Sequence, residues 1–254
     1  MVDNHFKIIV PFYNVEQWTK MTTRSVRMQD YDNYECILVD DMSTDDSIKL
    51  AAKEIGEDKR FRIIENKVKK YVLKNLCDAI ELSKPNSEDI IVVLDGDDWF
   101  ARKDVLSILN KTYNEEKCWL TYGSYMEYPS KTRGKFAKKV PKHIVDENLF
   151  RASPWMTSHL RTWKYGLWKQ INQQKCFVEP SAMHDDNHFA FCWDLAYMFP
   201  LLELAGNRAH YISDILYMYN RQNPLCCDKI KHETQLKMEH KIRNMERCQP
   251  LKNI

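Results

Sequence analysis

Apolar residues in the first hundred positions fall into four short blocks, joined by stretches whose apolar positions recur at helical spacing. The blocks at 7–12, 36–39, 61–65 and 90–94 read as strands. The last, Ile90-Ile91-Val92-Val93-Leu94, is apolar at every position, the pattern of a strand buried on both faces. Between the first two blocks, Val15, Met21 or Thr22, Val26 and Met28 predict a helix over 16–28. Ser43, with Asp46 three residues on, resembles an acidic capping box and predicts a helix from there to about 55. Residues 71–82 complete the alternation. Strands alternating with helices predict an α/β fold with a mostly parallel sheet and right-handed crossovers.

Beyond residue 100 the alternation weakens. The periodicity predicts a helix over 103–113 and a strand over 119–126. A further helix over 194–205 is expected despite Pro200, with Leu195, Met198, Phe199, Leu202 and Ala205 on one side. Short strands at 211–212 and 216–219 follow, then a helical, mixed-charge segment over 228–248.

Two of the early strands end in acids. The second runs into Asp40-Asp41, and the fourth into Asp95-Gly96-Asp97-Asp98. In a parallel sheet both clusters open on one edge, the carboxyl edge, where α/β folds bind ligands. A surface Asp-Gly turn accounts for the second cluster alone, but two unrelated surface turns do not account for the shared edge. Oxygen-only ligands crowded around one glycine suit Mg²⁺ or Mn²⁺, and a metal held there would in turn hold a phosphate.

Composition narrows the class. Of 254 residues, 44% are apolar and 29% charged, as in ordinary globular proteins. With 38 basic and 36 acidic residues, net +2, nucleic acid is not an expected partner. The eight cysteines include no C-x-x-C, and Cys226 and Cys227 are adjacent, a poor arrangement for a disulfide or a zinc site. A reducing cytoplasmic setting is the simplest reading. Asp3, Asn4 and His5 interrupt any signal-peptide pattern, and no apolar run is long enough to span a bilayer. Contact with a membrane would be peripheral. One local imbalance stands out: Lys131, Arg133, Lys135, Lys138, Lys139 and Lys142 fall within twelve residues that contain no acid. A solvated face is the ordinary explanation, and a flap closing over phosphate the other.

Three motifs in order resemble the donor-binding part of glycosyltransferase family 2. They are Val10-Pro11-Phe12-Tyr13-Asn14, then Val39-Asp40-Asp41-Met42-Ser43-Thr44-Asp45-Asp46-Ser47, then Leu94-Asp95-Gly96-Asp97-Asp98. The resemblance resumes at His159-Leu160-Arg161-Thr162-Trp163 and at 193–203, and ends near Leu216-Tyr217-Met218-Tyr219-Asn220. It implies a GT-A (Rossmann-like) fold as a single domain, with a nucleotide-sugar donor half (1–115), an acceptor half (116–222) and a C-terminal helical segment (223–254).

Position by position, the resemblance assigns roles. Pro11, Tyr13 and Asn14 would line the nucleotide pocket, with the Tyr13 ring against the base. Asp41, with Asp40 beside it, would hydrogen-bond the base, and His159 and Arg161 would join the donor-binding set. Asp95 would face the ribose or the metal, Asp97 would be the chief metal ligand, and Asp98 a second ligand or a support. Asp194 matches the acid that serves the family as catalytic base. A helix N-terminus favours the ionised form a base requires.

The implied reaction is inverting, metal-dependent transfer from a nucleoside-diphosphate sugar, UDP favoured, to a hydroxyl of a glycan or other acceptor. One departure concerns the metal shell. Asp228 falls where relatives often carry a histidine after Asn-Pro: either it substitutes as an oxygen ligand, or the contact is lost here, or His232 reaches back. The run His184-Asp185-Asp186-Asn187-His188 has no ligand-helix spacing and reads as an acceptor-side loop. Two other classes compete. A nucleotidyltransferase calls for a Gly-rich, basic phosphate loop, and the first strand–helix junction, Pro-Phe-Tyr-Asn-Val-Glu, has no glycine. A non-catalytic nucleotide- or glycan-binding module does not require Asp194.

Overall fold

The computed structural model describes residues 2–174, 192–224 and 232–254. Four strands, β1 (Phe6–Phe12), β2 (Tyr34–Asp40), β3 (Phe61–Glu65) and β4 (Ile90–Val93), lie parallel in the order β3-β2-β1-β4. The helices α1 (Glu16–Arg27), α2 (Ser47–Ile55) and α3 (Tyr71–Leu82) connect them. All seven residues of β1 and all four of β4 are buried, as the unbroken apolar run at 90–94 requires.

The chain moves outward from β1 to β3, then returns to the other side of β1 to form β4. That reversal opens a crevice at the carboxyl ends of β1 and β4. One glycine makes the crevice possible. The backbone N–H of Gly96 donates to the Pro11 carbonyl at 3.2 Å. A Cβ on Gly96 would overlap the Phe12 side chain and come within 3.0 Å of Phe12 Cα and of the Pro11 oxygen. Thr22 Oγ1 of α1 donates to the Gly96 carbonyl at 3.0 Å and fixes the loop from below. Gly96→Ala is therefore expected to push the acidic loop off β1. It should cost about 1–3 kcal/mol, as overpacking does, read as a lowered urea midpoint, with loss of donor binding.

After β4 the sheet becomes mixed. The later elements are β5 (Trp99–Phe100), α4 (Val105–Glu116), β6 (Leu120–Tyr128), α5 (Lys142–Asp146), β7 (Arg161–Lys164), α6 (Tyr165–Trp168), α7 (Trp193–Ala205), β8 (Ala209–Asn220) and α8 (His232–Arg243). The full order is β3-β2-β1-β4-β7-β6-β8-β5. β7 runs antiparallel to both β4 and β6, and β8 runs parallel to β6 and antiparallel to β5. Thus β7, inside a stretch whose pattern predicted no strand, joins the two halves of the sheet.

Four local expectations need correction. In α1 the buried face is Trp18, Thr19, Thr22, Thr23 and Val26, while Met21 and Met28 are exposed. Of these threonines, Thr22 donates its hydroxyl to the acidic loop at the Gly96 carbonyl, while the Thr19 hydroxyl returns to Val15 of its own helix. Ser43 caps no helix: α2 begins at Ser47, whose N–H and hydroxyl both donate to Asp45 Oδ1, whereas Ser43 Oγ accepts the Asn14 N–H. Helix α7 is not one-sided, since every residue from Leu195 to Ala205 is buried; it is a central helix, packed all round. The two short strands near the C-terminal end are one strand, β8, paired to β6 across a bulge near Gly123 and Ser124.

Beyond the sheet, Met238 and Ile242 of α8 and Cys248 join the same core cluster as α7. Cys36, Cys77 and Cys118 are free thiols, the Cys192 thiol donates to the Gln235 carbonyl at 3.4 Å, and Cys248 is disulfide-bonded. Cysteine spacing along the chain did not anticipate that bond, because pairing depends on distance in the fold.

Candidate active site

The crevice is a cavity of about 420 Å³ at the carboxyl edge of the sheet, within the range of small-ligand sites. Pro11, Tyr13, Asp41, Lys69 and Asn75 line one end. Asp95, Asp97 and Asn223 line the middle, and His159, Arg161, Trp193 and Asp194 the other end. Residues far apart in sequence therefore share one space.

At the first end, Asp41 is buried where β2 leaves the sheet. Its carboxylate accepts the backbone N–H groups of Lys70 and Tyr71 at 2.8 and 2.9 Å, and the Asn66 amide at 3.2 Å. Asn66 also donates to Asn75 Oδ1 at 2.6 Å. The Asn75 amide nitrogen is buried with no hydrogen-bond partner among the described residues. Across from it, the Lys69 ammonium lies 3.1 Å from the centroid of the Tyr13 ring, a cation–π contact.

In the middle, Asp97 Oδ2 accepts from the Asn223 side-chain amide at 2.7 Å. Asp98 faces the other way. It is 1% exposed, accepts the Tyr217 hydroxyl at 2.6 Å and the Asn220 N–H at 2.7 Å, and does not line the cavity. Of its two expected roles, ligand or support, the structure gives it the second: it anchors the acidic loop to β8. Burial, then Asp97 and Asp95, push its carboxyl well above the usual range.

At the far end, Asp194 is the second residue of α7. Its carboxylate pairs with Arg161 at 3.3 Å. Arg161 also donates to the Tyr197 hydroxyl at 3.0 Å and contacts His159 Nε2 at 2.9 Å. Burial opposes a charged guanidinium, yet Tyr197, Asp194 and Asp95 outweigh it and hold Arg161 above the ordinary arginine range. His159 stacks on Tyr217, with centroids 4.4 Å apart. Burial, then Arg161, push it well below the histidine range, so its ring is neutral.

Two expected pocket residues stand elsewhere. Asn14 Oδ1 accepts the Thr44 N–H at 2.8 Å, so its side chain ties the 43–46 loop to β1 and does not line the cavity. Asp40 is buried and accepts the Ser43 N–H, as a turn acid does. Both belong to the wall behind the pocket. Asp228 and the run His184-Asp185-Asp186-Asn187-His188 lie outside the described residues. Tyr217 was missed as a candidate. Its signal was available: Tyr217 and Tyr219 alternate along a strand, so both face one side of the sheet, where Tyr219 lines the cavity and Tyr217 is buried beneath it against Asp98.

Among the described residues no group of three or more acids, histidines or cysteines is placed to hold a metal ion, and the oxygen donors that line the cavity nearest one another in sequence are Asp95 and Asp97. Both present hard oxygen donors to the same space, and Mg²⁺ is commonly held by one or two carboxylates plus substrate phosphates. Burial, partly offset by Arg161, together with Asp97 and Asp194, pushes Asp95 up to about 7.

Fold and cavity together define an α/β protein with its ligand site at a topological switch point, built from acids on two strand ends and one helix start. The chain belongs to glycosyl transferase family 2, whose sequence profile it matches over residues 7–179. It is 24% identical over 226 residues to the glycosyltransferase GlyG of Streptococcus pneumoniae, covering 85% of this chain and 70% of that protein. An uncharacterised glycosyltransferase of Rickettsia conorii is 30% identical over 149 residues, 58% of this chain and 23% of that protein.

Among solved structures, TarS of S. aureus matches with a TM-score of 0.65 at 18% identity over 85% of this chain. Its shorter form in complex with UDP-GlcNAc matches at 0.62 and 19% over 86%. The mannosyltransferase PcManGT of Pyrobaculum calidifontis, in complex with GDP-Man and Mn²⁺, matches at 0.56 and 17% over 84%. These likenesses establish the GT-A fold, a single α/β domain with a curled mixed sheet. The chain spans 36% of the full TarS chain, 59% of the shorter one and 56% of PcManGT.

Proposed function

We propose that the protein transfers a sugar from a nucleoside-diphosphate sugar, UDP favoured, to a hydroxyl of a glycan or other acceptor, with inversion at the anomeric carbon. One observation carries the proposal: Asp95 and Asp97, from a strand end, and Asp194, from a helix start 97 residues beyond Asp97, line one cavity. The complexes of the structural neighbours with UDP-GlcNAc and with GDP-Man and Mn²⁺ support a nucleotide-sugar donor and a divalent ion.

In this reading the base stacks on Tyr13 and hydrogen-bonds near Asp41, where the unpartnered Asn75 amide offers a donor. Lys69 gives way from the ring toward the diphosphate. Asp97 and Asp95 would hold Mn²⁺ or Mg²⁺, which when bound would neutralise charge on the leaving diphosphate. Asp228, after the Asn223 that holds Asp97, is a candidate third ligand. Asp194 accepts the acceptor's hydroxyl proton as the oxygen attacks the anomeric carbon. The bond from that carbon to the diphosphate oxygen breaks, and the nucleoside diphosphate leaves with its electron pair. Arg161 orients Asp194 through their ion pair, and its charge offsets part of the rise that burial imposes on Asp95.

Among the described residues no helix is long and apolar enough to cross a membrane. We place the activity in the cytoplasm, a setting that the thiols of Cys36, Cys77 and Cys118 favour and the Cys248 disulfide does not.

The test is turnover of a panel of nucleotide sugars with and without Mn²⁺, read as free nucleoside diphosphate. Asp97→Ala should abolish metal-dependent donor binding, measured by calorimetry with UDP and Mn²⁺. Release of pyrophosphate would instead identify a nucleotidyltransferase. Tight binding with no turnover across donors and acceptors would identify a binding module.

A further inference from the structure

The basic loop after β6 is built in a way that a merely solvated face does not require. Residues 129–142 carry six positive charges and no acid. Removing them from the net charge of +2 leaves −4 for the rest of the chain. The loop is thus a local excess of positive charge on a chain whose remainder is slightly acidic.

The loop is firmly seated. Gly134, Ala137 and Val140 are buried at a spacing of three. Gly134 lies flat on the Tyr125 ring, where any Cβ would overlap it. Arg133 is the arginine that anchors, donating to Ser124 Oγ at 2.7 Å and to the Ser213 carbonyl at 2.6 Å. The residues between the buried positions all point outward: Lys135, Phe136, Lys138 and Lys139 are exposed, with Lys131 at the loop's start. None of these four lysines pairs with a carboxylate among the described residues. Phe136 is 44% exposed in their midst, with the Lys135 ammonium 4.9 Å from its ring.

We propose that this loop docks the protein on an anionic lipid surface, with Phe136 entering the headgroup region and the lysines ringing it. Lysines are flexible point charges, suited to a diffuse anionic surface, whereas chelation of one phosphate group favours the arginine fork. An aromatic side chain among basic residues is the composition of an interfacial anchor. The only arginine of the loop is spent on the protein's own carbonyl and hydroxyl. Docking would also orient the cavity. Phe136 and Lys138 hydrogen-bond through their backbones to Ser158 and Met156, so the patch adjoins the segment that enters the site at His159. An acceptor carried on the same membrane would meet the cavity at its Asp194 end. The inference concerns the surface alone and stands whichever donor the cavity takes.

The test is co-sedimentation of the whole protein with phosphatidylcholine vesicles, with and without roughly one-third phosphatidylglycerol. Binding is expected to the anionic vesicles only, falling as salt is raised. Lys138→Gln with Lys139→Gln should weaken it about 30-fold, at about fivefold per lysine near the surface, and Phe136→Ser about tenfold. All three positions are exposed, and unchanged melting temperatures verify the fold. Lys138→Arg with Lys139→Arg should retain binding. Failure to bind anionic vesicles, or binding that these variants leave unchanged, overturns the proposal. So does equally tight binding of soluble polyphosphate that Phe136→Ser does not affect, which would make the loop a site for polyanionic polymers. The vesicle assay needs no sugar donor, so its failure and a failed transfer assay are separate results.

Discussion

Asp194→Asn is expected to lower sugar transfer by about 10²–10⁴-fold, the usual contribution of a general base, with donor affinity held within about twofold. The substitution keeps the shape of the side chain and its place in the first turn of α7. An amide oxygen can still accept from Arg161, which stands 3.3 Å from the carboxylate. The buried guanidinium also keeps Asp95 and the Tyr197 hydroxyl as neighbours. What the amide cannot do is take the acceptor's proton. The proposed reading assigns donor binding to Tyr13, Asp41 and the acidic loop, which line the same cavity and are unchanged in the variant, so calorimetry with the nucleotide should report an intact site. A variant with near wild-type turnover would remove Asp194 from the base role and return the search to the remaining cavity acids.

The largest loss of stability should come from Arg151→Ala, well away from the cavity. Arg151 and Glu203 are 3% and 0% exposed, and the pair is made by two hydrogen bonds of 2.6 and 3.0 Å. Arg151 also donates to the Ile242 carbonyl of α8, and Glu203 accepts the Cys248 N–H. Four segments therefore meet at one ion pair: the turn at 150–152, α7, α8 and the C-terminal tail. Burial raises the Glu203 carboxyl above its ordinary value, and Arg151 works against that rise. Removing the arginine strands a buried carboxylate, which costs about 3–5 kcal/mol. For a chain of this size the melting temperature should fall by on the order of 10 °C. Replacing both partners by apolar residues, Arg151→Met with Glu203→Leu, should recover much of that loss, because no charge is left unpaired. If the single and double variants melt alike, the pair is not what holds the tail to α7.

The donor side of the fold was legible because its signals are local. An unbroken apolar run predicts a strand buried on both faces, and helical spacing between such runs predicts the parallel half of the sheet. Tyr71–Leu82 and Phe61–Glu65 have the bounds that the periodicity predicts. The mixed half was harder. Strand β7 is four residues long and holds Arg161 and Lys164. Its partners lie on both sides, β4 and β6, so nothing within the strand itself announces it. The side-chain roles divide in the same way. Asp98 and Asp97 are neighbours in sequence with the same chemistry. Only β8, arriving from residue 209 onward, draws Asp98 inward through Tyr217 and Asn220 and leaves Asp97 facing the cavity.

The sequence by itself determined that acids stand at two strand ends of one sheet edge, because a parallel sheet with covered faces forces each strand end to the same side. It also determined that Gly96 separates those acids, and the family to which the chain belongs. The tertiary structure alone decided which acids share a space with Asp194, that Arg161 stands between Asp194 and Asp95, and that Asn14, Asp40 and Asp98 brace the wall instead of lining it. It likewise decided that the lysines around Phe136 project together from a loop clamped to Tyr125. Chemistry is carried by residue type and is local, but direction is set by contacts across the chain. Only folding joins the two.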